Sequence, residues 1–390
     1  MIKSIKSFFK LFKQLVFLFS FCILSSCNGF FEKDNTPPPA PLVPFQAKLH
    51  PKLHWGVRTS YHATGDYLRI QPAITKDKII TADRKGTVTA VSKKNGRLLW
   101  QTATTLSIAG GPGADNGFIV IGSRKGQIEA LHEESGTILW KKKISKEILA
   151  QPAVLNNTAV FKTTNGYLYG LSLQNGEILW SRHQEEPALI LRVASTPQCQ
   201  NTYCVIGFAS GTLLKISLED GSTLWQQTIA NPQGAFAIQR MIDIDANPIL
   251  FDNTVYAATY QGAIAALNNN TGNVLWSHNI SSYTGLAATK NRIYVTDARS
   301  AIWAFNANNG EVLWKQTDLA DRQISGPVIM ENYLVVGDSQ GYLHWLSLED
   351  GNFTARTRIN KSSIVATPLV EQGVLYVLSS NGYLAAYTLH

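Results

Sequence analysis

"NGEILW" at residues 175–180 has close copies along the chain: "NGRLLW" (95–100), "SGTILW" (135–140), "DGSTLW" (220–225), "TGNVLW" (271–276) and "NGEVLW" (309–314). The copied unit is a turn glycine followed four residues later by a tryptophan, as in Gly176 and Trp180. "LHW" adds a marker at Trp55, and "DGNFTA" (350–355) keeps the turn at Gly351 but puts Ala355 at the marker position. Ten residues before each turn glycine stands a second turn position: Gly86, Gly126, Gly166, Gly211, Gly262, Ser300 and Gly341. Fourteen residues before that come Pro72, Pro112, Pro152, Pro197, Pro248, Leu286 and Pro327. An eighth unit runs from Pro368 to Gly382 and has no tryptophan of its own.

A period of roughly 40 residues carrying four short β segments is the mark of a propeller blade. The repeated glycines supply the positive φ of tight turns, and a proline at the first residue of a strand removes no ladder bond. A blade leaves apolar faces that only a neighbour can cover. A tryptophan at one fixed place per blade therefore suits a wedge between blades better than a row of ligand-binding rings. The expected fold is all-β, an eight-bladed propeller of four-stranded antiparallel blades. The lone strand "KLHWGV" (52–57) completes the last blade, which otherwise has three strands, so the N- and C-terminal strands close the ring. Closure removes the open edge of a linear array.

Composition agrees. Of 390 residues, 45% are hydrophobic, enough for a large core, and the 29 glycines suit many turns. The net charge of +8 includes four lysines within the first 13 residues; without them 31 basic residues face 27 acidic ones. So mild a balance argues against nucleic acid as a partner.

Those lysines begin an address. Lys3, Lys6, Lys10 and Lys13 precede the apolar core "QLVFLFSFCIL" (14–24) and then "LSSC" (24–27). The core is too short to span a bilayer, which takes about 20 apolar residues. The pattern resembles a bacterial lipoprotein signal, cut before Cys27, with Cys27 acylated; an ordinary signal peptide with an incidental cysteine is the alternative. Asn28 rather than Asp favours, by the same resemblance, the outer membrane. The expected organisation is a signal peptide (1–26), a lipidated Pro-rich tether (27–51) and the propeller (52–390).

The repeat varies in length only between each tryptophan and the next proline. The two longest internal segments are "SRHQEEPALILRVAST" (181–196) and "QQTIANPQGAFAIQRMIDIDAN" (226–247). Both join one blade to the next on the same face of the disc, where repeat proteins place binding surfaces.

No catalytic constellation can be assembled. The histidines lack metal-ligand spacing, and no nucleophile elbow, P-loop or haem motif is present. No cofactor or metal is expected. Cys199 and Cys204 flank the turn "QNTY", where a cross-strand disulfide and two free buried thiols are both open readings.

The Trp-marked blade resembles that of quinoprotein alcohol dehydrogenases, but the adjacent bonded cysteines that serve quinone binding in those enzymes are missing, and fold does not carry function. A closer resemblance lies in "VVGDSQGYLHWLSLEDG" (335–351), "LILRVASTP" (189–197) and "MIDIDANPIL" (241–250). These are similar to the BamB family, β-propeller lipoproteins of the outer-membrane β-barrel assembly machinery, over essentially the whole mature chain. The resemblance implies a non-enzymatic scaffold, one propeller per complex, that binds a periplasmic POTRA domain of BamA. It implies partner contacts from Leu189, Leu191 and Arg192 in one loop and Asp243 and Asp245 in the other. Read from the residues alone, "ALILRV" also fits a buried strand and the aspartates a turn cap. Val193, where the family pattern has glycine, and the Cys199–Cys204 pair depart from that pattern. A quinone-dependent dehydrogenase and a scaffold for another envelope complex are the alternatives.

Overall fold

Alternating short apolar runs and glycine turns build one blade after another. In the computed structural model, residues 37–59, 70–144, 146–191 and 195–389 are described. Blade three shows the pattern: Ala153–Leu155, Thr158–Lys162, Tyr167–Ser172 and Ile178–His183 pair antiparallel in chain order. Eight such four-stranded sheets form the eight-bladed ring expected from the repeat. The eighth consists of Leu369–Glu371, Val374–Leu378 and Tyr383–Leu389, with Pro51–Arg58 as its outer strand. Pro51 pairs with Leu389 and Arg58 with Tyr383, so the two ends of the chain close the ring.

Each tryptophan of an outer strand leans on the turn glycine of the next blade round the ring. A Cβ on Gly96, Gly136, Gly176, Gly221, Gly272, Gly310 or Gly351 would lie 2.4–2.8 Å from the ring of Trp55, Trp100, Trp140, Trp180, Trp225, Trp276 or Trp314, respectively. These glycines also have φ between 68° and 75°, a region in which side chains are strained. Each indole Nε1 donates to a backbone carbonyl of that same next blade, as Trp180 does to Leu218 O at 2.9 Å and Trp276 to Ala307 O at 2.8 Å. The indole is thus wedge and hydrogen-bond donor at once, leaving its one polar group satisfied.

The segments joining blades emerge on one side of the disc, here the joining face. The turns at Gly86, Gly166 and Gly341 lie on the same side, since Thr104, Gln184 and Ile359, just past the outer strands, donate to their carbonyls. At the axis, residues at or just before the first strands, including Gln71, Gln151, Gln198 and Thr367, line a cavity of about 250 Å³.

The first strand begins at Pro51, and the chain before it, from Ala40 to Leu49, lies along blade seven, where the sequence suggested a free tether.

Candidate partner interface

The two long joining segments meet on the joining face between blades three, four and five. Hydrogen bonds from backbone N–H groups of the first to side-chain oxygens of the second join them. Met241 through Ala246 are all buried, with Ile242 and Ile244 each 1% exposed. Ile244 packs so closely on Gly207 that a Cβ there would sit 2.4 Å from its Cγ2. The Asp-Ile-Asp run is therefore anchored by its isoleucines, and Asp243 and Asp245 go inward with them, 2% and 6% exposed.

Asp243 reaches across to the first segment. Its Oδ1 accepts the Leu191 N–H at 2.8 Å. A second tie runs from Thr196 N–H to Asn247 Oδ1, 2.7 Å. Glu186, in the first segment, accepts the Ala209 N–H of blade four at 2.9 Å. Lys162 of blade three donates to Gly207 O (2.5 Å), lies 3.6 Å from Glu186 Oε1 and covers the Phe208 ring. The loop carrying Leu189 and Leu191 is thus held by groups from three blades.

The clamp is electrostatically strained. Glu186, Asp243 and Asp245, with Lys162, line a cavity of about 20 Å³, room for about one water. Burial pushes Asp243 up to about 6, against the lowering effect of the Leu191 N–H. Burial also raises Glu186, against the Lys162 charge. Asp243 Oδ2 is buried and accepts no hydrogen bond from the described residues.

Of the described residues implied by resemblance, Leu189 alone is well exposed, at 47%. Leu191 is half-buried and turns toward the small cavity with Ile190. Asp243 and Asp245 are brought to the same cavity, where they can orient the loop. Arg192, Val193 and Cys27 lie outside the described residues. Cys199 and Cys204, directly paired between the first two strands of blade four, are bonded, with Cα atoms 4.0 Å apart.

Sequence reasoning missed Lys162 and Glu186, which lie apart in the chain and meet only through the fold. It also missed the 3₁₀ turn Ala237–Arg240, where Phe236 and Ile238 are 69% and 64% exposed. The signal was present in "GAFAIQR", two large apolar residues beside a glycine with no strand period.

Elsewhere Asp77, Glu133 and Glu134 group closely enough for a cation, but Lys78 Nζ already lies 2.9, 3.7 and 2.6 Å from them. That ammonium is the counter-ion of the cluster.

Comparison with known proteins agrees with this architecture. A family model described as outer membrane protein assembly factor BamB matches residues 84–316 and 304–390. The BamB of Legionella pneumophila (strain Paris) is 40% identical over 353 residues, 90% of this chain and 92% of that protein. The BamB of Escherichia coli (strain K12) is 30% identical over 381 residues, 95% of this chain and 97% of that one. The crystal structure of BamB from Moraxella catarrhalis superposes with a TM-score of 0.81 at 25% identity, covering 87% of this chain and all of that one. The quinohemoprotein alcohol dehydrogenase of Comamonas testosteroni, with a TM-score of 0.70 at 10% identity over 86% of this chain and 76% of that one, shares the fold alone. The repeat, the closed eight-bladed ring and these relatives converge: the chain belongs to the BamB family of outer-membrane protein assembly factors.

Proposed function

We propose that this protein is a non-enzymatic scaffold lipoprotein of the β-barrel assembly machinery, held at the periplasmic face of the outer membrane by an acylated Cys27, and that its two long joining segments bind a POTRA domain of BamA. Family membership supports the first part; the lysine-rich start and "LSSC" support the anchor. The observation that carries the partner site is the clamp from Asp243 Oδ1 to Leu191 N–H. It holds the loop that exposes Leu189, giving a pre-ordered surface rather than a loop that must be ordered on binding. In this reading Leu189 and Arg192 touch the partner, Leu191 partly so, and Asp243 and Asp245 are positioning residues. Arg192 brings a planar donor set suited to carboxylates or strand-edge carbonyls.

Crosslinking in outer membranes tests both parts. Capture of BamA should fall by about tenfold or more in Leu189→Ala and Arg192→Ala, with unchanged melting, since interface anchors of this type contribute roughly 1–3 kcal/mol. Cys27→Ser should lose lipid labelling and leave the membrane fraction. Undiminished capture in both interface variants would place the contact elsewhere, and acylation persisting in Cys27→Ser would remove the anchor.

A further inference from the structure

Between the proposed anchor and the first strand, the chain is fastened to the propeller. Ala40 N–H donates to Ala320 O (2.9 Å), in the segment joining blades six and seven. Arg322 Nη1 donates to Ala40 O (2.7 Å) and Arg356 Nη1 to Val43 O (3.0 Å). Phe45 stacks on Phe353 with ring centroids 5.5 Å apart, and the Arg356 guanidinium lies 4.9 and 5.1 Å from the two rings. The N–H groups of Lys48 and Leu49 both point at Thr354 O, at 2.8 and 3.2 Å. Thr354 corresponds to Leu179 of blade three; Leu179 is 50% exposed, whereas Thr354 is 4% exposed.

The two arginines are themselves fixed from behind. Arg322, 1% exposed, bonds Asp338 Oδ2 through Nε (2.8 Å) and Nη2 (2.7 Å). His344, fully buried, lies between: its Nε2 is 2.9 Å from the same oxygen, and its Nδ1 accepts Arg356 Nε–H at 3.1 Å. An arginine nitrogen can only donate, so Nδ1 carries no proton and Nε2–H donates to Asp338. Burying so many charged groups is costly, and their yield is geometry: two guanidinium groups aimed at two carbonyls of an extended segment.

The segment has a fixed direction. Its Leu49 end lies at the start of the outer strand Phe353–Arg358, and its Ala40 end lies beside Arg322 on the joining face. We propose that Ala40–Leu49 is a strap that brings the chain, at Ala40, to the joining face, the face that carries the partner loops, and that shortens the stretch between Cys27 and the first point fixed on the propeller. The proposal rests on the reading of Cys27 as the lipid site. Counted from Cys27, 24 residues reach Pro51 but only 13 reach Ala40, so the fully extended reach falls from about 85 Å to about 45 Å. Effective concentration falls as roughly the −3/2 power of link length, so the strap raises that of the joining face at the bilayer by about 2.5-fold.

The acylated mature chain, beginning at Cys27, in vesicles containing a maleimide-headgroup lipid tests this. Lys125→Cys puts a thiol on a joining-face turn and Gln174→Cys puts one on the opposite face; Cys199 and Cys204 are consumed in their disulfide. The Lys125→Cys thiol should couple to lipid faster than the Gln174→Cys thiol. Adding Phe45→Ser should slow the first by about 2.5-fold and bring the two rates together. Arg356→Gln serves as the second variant should Phe45→Ser melt early. In the unanchored Cys27→Ser chain, amide exchange at Ala40, Lys48 and Leu49 should be slow and should become fast with Phe45→Ser. Equal coupling rates on the two faces of the membrane-bound chain, or rates unmoved by both strap variants, overturn the strap alone. Failure of the unaltered chain to bind vesicles overturns the anchor and this inference with it.

Discussion

Trp345 and Ala355 are register partners in the last two strands of blade seven, the inverse of Gly170 and Trp180 in blade three. Elsewhere the residue opposite the marker tryptophan is small: Ala90, Ala130, Gly170, Ala266, Ala304 and Ala386, with Lys215 the exception. The neighbouring blade supplies the reason. A marker tryptophan needs a turn glycine on the next blade, and the eighth blade has none, because its outer strand is Pro51–Arg58 from the other end of the chain. The large ring moves one strand inward, where Trp345 is fully buried, and the strap covers the vacated edge.

Trp345→Ala should therefore cost roughly 3–5 kcal/mol of unfolding free energy, as for a core truncation. Adding Ala355→Trp should not restore it, because no glycine turn is there to receive the ring. Denaturant titration of the single and double variants checks this; recovery of most of the loss would show that position 355 can dock a tryptophan after all.

Gly221→Ala separates conformation from contact. At φ 69° an alanine costs about 1–2 kcal/mol by backbone sterics alone. The new Cβ would also lie 2.7 Å from Trp180. Gly373, at φ 74° with nothing within 4 Å, is the control that carries only the first cost. Gly221→Ala should be clearly the more destabilising of the two, and equal losses would mean the indole yields freely.

Asp243 links the loop clamp to pH. Its folded pKa is raised to about 6, from an unfolded value of about 3.9, so its contribution is fully present below about pH 4 and is lost as pH rises through about 6. The span is roughly 2–3 kcal/mol, and Glu186, also raised by burial, adds in the same direction. Lys162 and Asp245 face the same cavity. Asp243→Asn should flatten the difference in unfolding free energy between pH 5 and pH 7.5. An unchanged slope would mean that Asp243 is solvated in solution.

His344 gives the strap the opposite dependence. Burial lowers its pKa, the Asp338 bond raises it, and the Arg356 and Arg322 charges lower it again, with a net fall. A lowered folded value means that stability is present above the unfolded pKa of about 6.5 and is lost as pH falls through the folded one. Protonating Nδ1 would set it against Arg356 Nε–H. Amide protection at Ala40, Lys48 and Leu49 should fall on acidification while protection at Leu191 does not. Protection of both segments changing in step would point to global loosening.

Replacing Cys199 and Cys204 by serine should cost about 2 kcal/mol, small because the closed loop is short. Capture of BamA should be unaffected, as the pair sits at the far end of its strands from the joining segments. Unfolding in denaturant and crosslinked capture on one preparation check the two halves.

The spacing of Gly176, Trp180 and their copies was enough to read eight blades and their closure, because a repeat writes the same local physics many times and each copy corrects the others. The inserts were legible for the same reason: they are the places where the count breaks. What the sequence could not decide was which residues of those inserts face outward. Leu189 and Leu191 alternate identically on paper, yet one is exposed and the other turns to a cavity, because Asp243 from the next joining segment holds Leu191 by its N–H. Asp243 and Asp245 look like surface acids and are buried, because Ile242 and Ile244 carry them inward. The stretch before Pro51 has the composition of a linker, and nothing local marks it as bound. Its partners Arg322 and Arg356 lie some 300 positions away and meet it only once the ring has closed.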